Sequence, residues 1–185
     1  MLRRFRHTAA VFPLGAIEET HIMTIKAGDK IPSLKLKRLG ADGMGDAMEE
    51  VSTDELFAGK KTVLFSVPGA FTPTCSAKHL PGFVNHADAF KAKGVSLVCT
   101  AVNDAFVMKA WGRQGGAEGK VAMLPDGNAA LVKALGLELD GSGFGMGTRG
   151  QRFALLVEDG TVKDVQVEAP GQFEVSSAEY MLNRV

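Results

Sequence analysis

The chain of 185 residues carries no surplus of charge: Lys plus Arg and Asp plus Glu both number 21. A basic nucleic-acid-binding surface and an acidic solvating tail are therefore not indicated, and no nucleic-acid partner is expected. No apolar run approaches the ~18 residues of a membrane-spanning helix, which removes the membrane from the list of partners. Cysteine is scarce. Cys75 and Cys99 are the only two, too few for the disulfide framework of a small secreted domain, and no C-x-x-C pair or Cys/His quartet is present for zinc. The histidines, His7, His21, His79 and His86, show no metal-ligand spacing, so no metal is expected. A reducing compartment follows, cytoplasmic in the first reading, and each thiol must be explained singly as core filler or as chemistry.

The first 22 residues differ from the rest. Arg3, Arg4 and Arg6 precede the first acid at Glu18, a weak likeness to a mitochondrial presequence, whereas Met23 in HIMTIKAGDK offers an alternative start. Residues 1–22 are read as an N-terminal extension, with the mitochondrial matrix as the alternative location, and residues 23–185 as one folded domain. With 45% hydrophobic and 23% charged residues, the chain as a whole has the composition of an ordinary globular protein.

From Ile25 the pattern is extended up to the glycine-rich turn GADGMGD. Ser52-Thr53-Asp54-Glu55 then reads as a capping box opening a short helix that ends by Gly59. Residues 61–67 (KTVLFSV) and 95–102 (VSLVCTAV) have the β-branched and aromatic content of buried strands. The helical spacing of Phe83, Val84, Ala87 and Phe90 between them makes a parallel crossover unit. Pro81-Gly82 predicts a kinked or two-part helix. Asn103 is read as the cap of the next helix, with Phe106, Val107, Ala110 and Trp111 on its apolar stripe.

A strand at 121–124, the turn PDGN and a helix at 129–135 follow. Residues 152–158 and 161–168, joined by Asp159-Gly160, form the clearest hairpin, and Ser176 opens the last helix. The order βαβαβα then ββα predicts an α/β class with a mixed central β-sheet flanked by helices, the arrangement of the thioredoxin fold.

The chemistry concentrates in VPGAFTPTCS, residues 67–76. Thr72 suits an N-cap, Pro73 the first helical position and Cys75 the first turn. Unpaired amides and the helix dipole there favour thiolate over thiol. The threonine hydroxyl can accept from an amide and donate to a thiolate or a substrate oxygen, while Pro68 can shield the sulfur without offering a competing donor. Gly145-x-Gly147-x-x-Gly150 spells a dinucleotide fingerprint, but it precedes a strand instead of opening a helix and is discounted.

P-x-x-x-T-x-x-C, present as Pro68, Thr72 and Cys75, resembles the signature of the peroxiredoxins. PGAFTPTCSAKHLPGF, KAKGV, VNDAFVMKAWG, LGLELD, RFALLVEDG and FEVSSAE are similar to the type II, also called type V, subfamily from about Met23 to the C-terminus. The resemblance implies a thiol peroxidase with no cofactor that reduces hydrogen peroxide and alkyl hydroperoxides through a sulfenic acid on Cys75. Thr72 would bind the peroxide, Pro68 close the pocket, and Arg152, anchored by the following Phe-Ala-Leu-Leu where Arg149 is not, supply the cation.

Cys99 is a candidate resolving residue; a core thiol would read the same. Otherwise glutathione with glutaredoxin, or thioredoxin, is the reducing partner. A homodimer is expected, with Phe71, Phe83 and Trp111 weighed as interface or core. A disulfide reductase, a cysteine hydrolase with a histidine partner and a redox-inert binding module are the competing classes. His79 stands four residues after Cys75 and is left outside the catalytic set.

Overall fold

A computed structural model describes residues 23–185, so the extension read at residues 1–22 lies outside the described residues. The chain enters through an edge hairpin of β1 (Lys35–Leu39) and β2 (Met48–Ser52), paired antiparallel from Lys35↔Ser52 to Leu39↔Met48. Its turn depends on glycine. Gly43 has φ +80°, and a Cβ there would stand 2.0 Å from the Met123 carbonyl oxygen. The second arm, MEEVS, was not anticipated as a strand because only Val51 in it is buried; Lys35 and Lys37 instead pair across it with Glu50, each at 3.0 Å. Ser52 caps α1 (Thr53–Phe57) by accepting from the Asp54 amide, which is the serine half of the expected capping box; among the described residues the Glu55 carboxylate accepts no return bond from the Ser52 amide.

The central sheet is mixed, as expected. β3 (Lys61–Ser66) and β4 (Val95–Ala101) are parallel from Lys61↔Val95 to Ser66↔Thr100, with α2 (Leu80–Ala92) in the crossover. After α3 (Ala105–Gln114), β5 (Ala122–Pro125) adds in parallel to β4. α4 (Ala130–Ala134) leads to the small antiparallel pair β6 (Glu138–Asp140) and β7 (Thr148–Gly150), which the apolar pattern does not announce. β8 (Phe153–Glu158) then returns antiparallel to β3, and β9 (Thr161–Val167) antiparallel to β8, giving the order β5-β4-β3-β8-β9. The β8–β9 turn uses Asp159 at φ +47° and Gly160 at φ +70°, the left-handed pair that a two-residue hairpin loop demands.

The central strands β3, β4 and β8 are buried on both faces, which explains their apolar runs. Val63, Phe65, Leu97 and Cys99 face Phe83 and Phe90 of α2, Met108 and Trp111 of α3 and Met181 of α5 (Ala178–Leu182). Leu64, Val98 and Leu155 pack on Phe57 and on Leu131 and Val132 of α4. Phe83 and Trp111 are thus core residues, and each contributes on the order of 2–3 kcal/mol through burial.

Two caps differ from the sequence reading by one residue. Asp104, not Asn103, caps α3, accepting from the amides of Phe106 and Val107. The helix phase turns accordingly: Ala105, Met108, Trp111 and Gly112 are buried, while Phe106 is 66% exposed. Ser177, not Ser176, caps α5 by accepting from the Tyr180 amide, because the Ser176 hydroxyl donates to the Glu168 carboxylate.

Candidate active site

The site begins where β3 runs out. Pro68 follows the strand, half-buried, and the loop turns through Phe71 at φ +62°. The Asn103 Oδ1 that was read as a helix cap accepts the Ala70 amide at 2.9 Å, tying this loop to the end of β4. Pro73 and Thr74 are helical and Cys75 lies in the first turn, as their order implies. Thr72 departs in detail. Its hydroxyl donates to the Gly69 carbonyl at 2.8 Å, turning the side chain back onto the loop instead of capping the turn, while the Ser76 amide donates to the Thr72 carbonyl at 3.0 Å.

From Cys75 to His79 the backbone is a π-helix, in which the Leu80 amide donates to the Cys75 carbonyl. Pro81 supplies the cause. In an α register its ring would press on the carbonyl four residues back, and widening the turn relieves that clash. The two-part helix expected from Pro81-Gly82 is this π turn followed by α2. In the wider turn Cys75 and His79 both point inward, and both are fully buried.

Arg152 completes the cluster. It stands one residue before β8, held by the Glu168 amide donating to its carbonyl at 3.0 Å. Its fork is divided: Nη2 donates to Cys75 Sγ at 3.5 Å, and Nη1 donates to His79 Nδ1 at 3.0 Å. Its guanidinium also lies 5.7 Å from the Phe173 ring centroid, a cation–π distance. Arg149 has a different task; its Nη1 donates to the Val102 carbonyl at 3.1 Å and braces Gly69. Pro68, Thr74 and Arg152 line a cleft of about 410 Å³ closed by Glu168 and residues 169–172, and Arg152 reaches from that wall to the sulfur.

Sequence reasoning set His79 aside, although its spacing from Cys75 was the signal. Its Nε2–H donates to the Ser176 carbonyl at 3.0 Å, so Nδ1 is the acceptor. Burial, and next the Arg152 charge, push its pKa down to about 3 against an opposing Ser176 bond. Glu168, also missed, accepts at Oε1 from the amides of Glu174 and Ser176 and from the Ser176 hydroxyl, at 2.7, 2.8 and 2.8 Å. Burial pushes that carboxyl upward, and the hydrogen bonds outweigh it and hold it below the ordinary value.

His79 gives the fold a definite acid sensitivity. The folded state refuses a proton that the unfolded chain takes up near pH 6.5, so this stability is complete above 6.5 and lost as pH falls toward 3. Between pH 7 and pH 5 the loss is about 2 kcal/mol. Urea unfolding at the two pH values is expected to show it, and H79Q to remove that part of the slope; equal slopes for the two proteins would contradict it. Glu168 acts only below its ordinary 4.5 and stays outside this window.

Cys99 occupies the middle of β4 opposite Phe65 and is fully buried in the same apolar cluster as Cys75. Burial first, and Cys75 alongside, push its thiol well up, so it is a protonated thiol and a weak nucleophile. Both thiols are free. The GxGxxG run leads into β7, not into a helix. Among the described residues no group of three or more His, Cys, Asp or Glu is placed to hold a metal ion, and no helix is long and apolar enough to cross a membrane.

The Redoxin family model matches residues 26–182. The chain is 50% identical over 168 residues to the protein named peroxiredoxin-2E-2, chloroplastic, of Oryza sativa, covering 88% of this chain and 73% of that one. It is 45% identical over 159 residues to peroxiredoxin-2B of Arabidopsis thaliana, covering 85% of this chain and 96% of that one. Among solved structures, reduced Prx3 of Vibrio vulnificus in complex with hydrogen peroxide superposes with a TM-score of 0.80 at 51% identity, over 87% of this chain and 96% of that one.

Proposed function

The chain belongs to the peroxiredoxins, of type II, and is therefore a thiol peroxidase; from that premise we propose that Cys75 is its peroxidatic nucleophile and Arg152 the cation that serves it. The observation carrying this reading is the Arg152 Nη2 to Cys75 Sγ contact at 3.5 Å. The Cys75 thiolate attacks one oxygen of ROOH. The S–O bond forms as the O–O bond breaks, sulfur is oxidised to sulfenic acid, and the departing alkoxide takes a proton to leave as ROH. Charge moves from sulfur to the leaving oxygen, and the fixed guanidinium favours it at both ends. The Thr72 hydroxyl, already donating to the Gly69 carbonyl, keeps lone pairs to accept the hydroperoxide O–H. Pro68 walls the pocket against water. Hydrogen peroxide and alkyl hydroperoxides are the substrates, the open cleft beside Arg152 leaving room for an alkyl group.

Reduction falls to an external thiol. The sulfenic acid and RSH give a mixed disulfide and water, and a second thiol returns Cys75 with release of a disulfide. Glutathione with glutaredoxin is the first choice and thioredoxin the second, because Cys99 is protonated and locked within β4. A hydrolytic reading has nothing to stand on, since His79 turns its accepting nitrogen to Arg152 and not to Cys75. For the homodimer, Phe71 at 51% and Phe106 at 66% exposure supply apolar surface. Its place is a reducing compartment, the cytoplasm in our reading.

The test is to add hydrogen peroxide to reduced protein with a sulfenic-acid trap and map the label. Cys75 is expected to carry it, in wild type and C99S alike, with C99S turning over unchanged on glutathione and glutaredoxin. No label at Cys75 would overturn the peroxidatic assignment, and loss of turnover in C99S would make Cys99 the resolving residue.

A further inference from the structure

We propose that His79 is a positioning residue that aims the Arg152 guanidinium at Cys75, and that the segment 168–176, which walls the same cleft, sets its aim. The inference rests on the peroxidase reading of the site. A continuous chain of contacts carries it. Glu168 Oε1 holds the amide and the hydroxyl of Ser176; the Ser176 carbonyl accepts from His79 Nε2–H; His79 Nδ1 accepts from Arg152 Nη1; Arg152 Nη2 donates to the sulfur.

The choice of an imidazole has a physical reason. A carboxylate in its place would hold the guanidinium harder but cancel its charge, leaving less for the thiolate and the leaving oxygen. Among the described residues Arg152 forms no ion pair. Its side-chain neighbours are the Cys75 sulfur, the His79 ring and the Phe173 face. A neutral acceptor fixes direction without neutralising. For that the ring must present a lone pair at Nδ1, and the Ser176 carbonyl secures this by occupying the Nε2 proton.

Rotation of the ring is blocked too. Phe65, Phe83 and Phe173 lie around it with centroids at 5.2, 5.7 and 5.0 Å. Phe173 belongs to the same segment as Ser176 and touches both His79 and Arg152, so a shift of this segment moves the ring, the guanidinium and the carbonyl together.

The experiment compares wild type, H79F, H79Q and E168A in two measurements: the second-order rate with hydrogen peroxide, and alkylation of Cys75 by iodoacetate and by neutral iodoacetamide, mapped by mass spectrometry. Phenylalanine keeps the aromatic packing and deletes the acceptor. H79F is expected to lose about 10- to 100-fold in peroxide rate, the scale of a displaced catalytic group. It should also lose selectively in iodoacetate reactivity, because an anionic reagent senses the aimed cation and the neutral one does not. H79Q, with an acceptor and a donor at similar reach, is expected to recover most of both. E168A, on the rim of the cleft, should show the same selective loss at smaller size and supplies the test if H79F does not fold.

A wild-type rate and reagent ratio in H79F and E168A would overturn the proposal. So would an equal loss with both reagents that glutamine does not repair, since that is the mark of a structural role. Should wild type fail to consume peroxide, the peroxidase reading falls, while the reagent ratio still judges the His79–Arg152 link.

Discussion

C75S is expected to consume hydrogen peroxide at the background rate of the reductants alone while keeping its fold. Serine offers oxygen where the reaction needs a nucleophile that is itself oxidised; no hydroxyl can take the transferred oxygen and be regenerated by a thiol. The substitution removes the chemistry and little else. Cys75 is fully buried, but Arg152 Nη2 already points at its side-chain atom and can donate to the serine oxygen. The cost to stability is therefore about 1 kcal/mol, the scale of one exchanged polar contact. Circular dichroism and urea unfolding, run beside the coupled peroxidase assay, separate loss of chemistry from loss of fold. Turnover in C75S above the background rate would remove Cys75 from the centre of the mechanism. Trp111, the only tryptophan, provides an internal signal: its Nε1–H donates to Ser76 Oγ at 3.0 Å, next to Cys75, so its fluorescence should respond to peroxide in wild type and stay still in C75S.

Which parts of this site the sequence discloses follows from the range over which each is determined. The strands 61–67 and 95–102 are written in local residue content, and Pro73 followed two residues later by Cys75 places the sulfur in a first turn with no help from afar. Arg152 was legible only through its match to a family pattern; in the residue sequence alone it is a basic residue beside a strand. The errors share a physical source. Asn103 and Asp104 are both competent caps, and the choice between them is made by the Ala70 amide, which engages Asn103 from a distant loop. Ser176 and Ser177 are likewise equivalent until Glu168 takes the first. Thr72 had two available partners, and the Gly69 carbonyl won. The strand β2 was obscured because three of its five residues are exposed, leaving no alternation to read. His79 was the costliest omission. Its spacing from Cys75 was plain, but its tautomer and thus its use depend on a carbonyl 97 residues further along, which no local pattern contains.

The second large effect is expected at Arg152. R152M should lower the second-order rate with hydrogen peroxide by about 10²–10³-fold, the usual loss on deleting one fixed donor aimed at developing charge, or about 3–4 kcal/mol of barrier. Methionine keeps length and packing against Phe173, so the loss is electrostatic in origin. R152K is the more informative variant. It retains a positive charge and would recover most of the rate if charge alone mattered. The geometry argues otherwise, because the guanidinium donates to the sulfur from one nitrogen and to His79 from another, at 3.5 and 3.0 Å. A single ammonium is a mobile point charge that cannot present that planar fork. It is expected to sit on His79 Nδ1 or swing into the open cleft, and to restore no more than about tenfold of the loss. Stopped-flow traces of Trp111 fluorescence across peroxide concentrations give the rate constants directly. A lysine variant at the wild-type rate would reduce Arg152 to a source of charge; a methionine variant at that rate would remove it from the mechanism. The expected order, arginine well above lysine and lysine above methionine, would mean that aim and charge are both required of this side chain, the first supplied through His79 and the second left intact by that residue's neutrality.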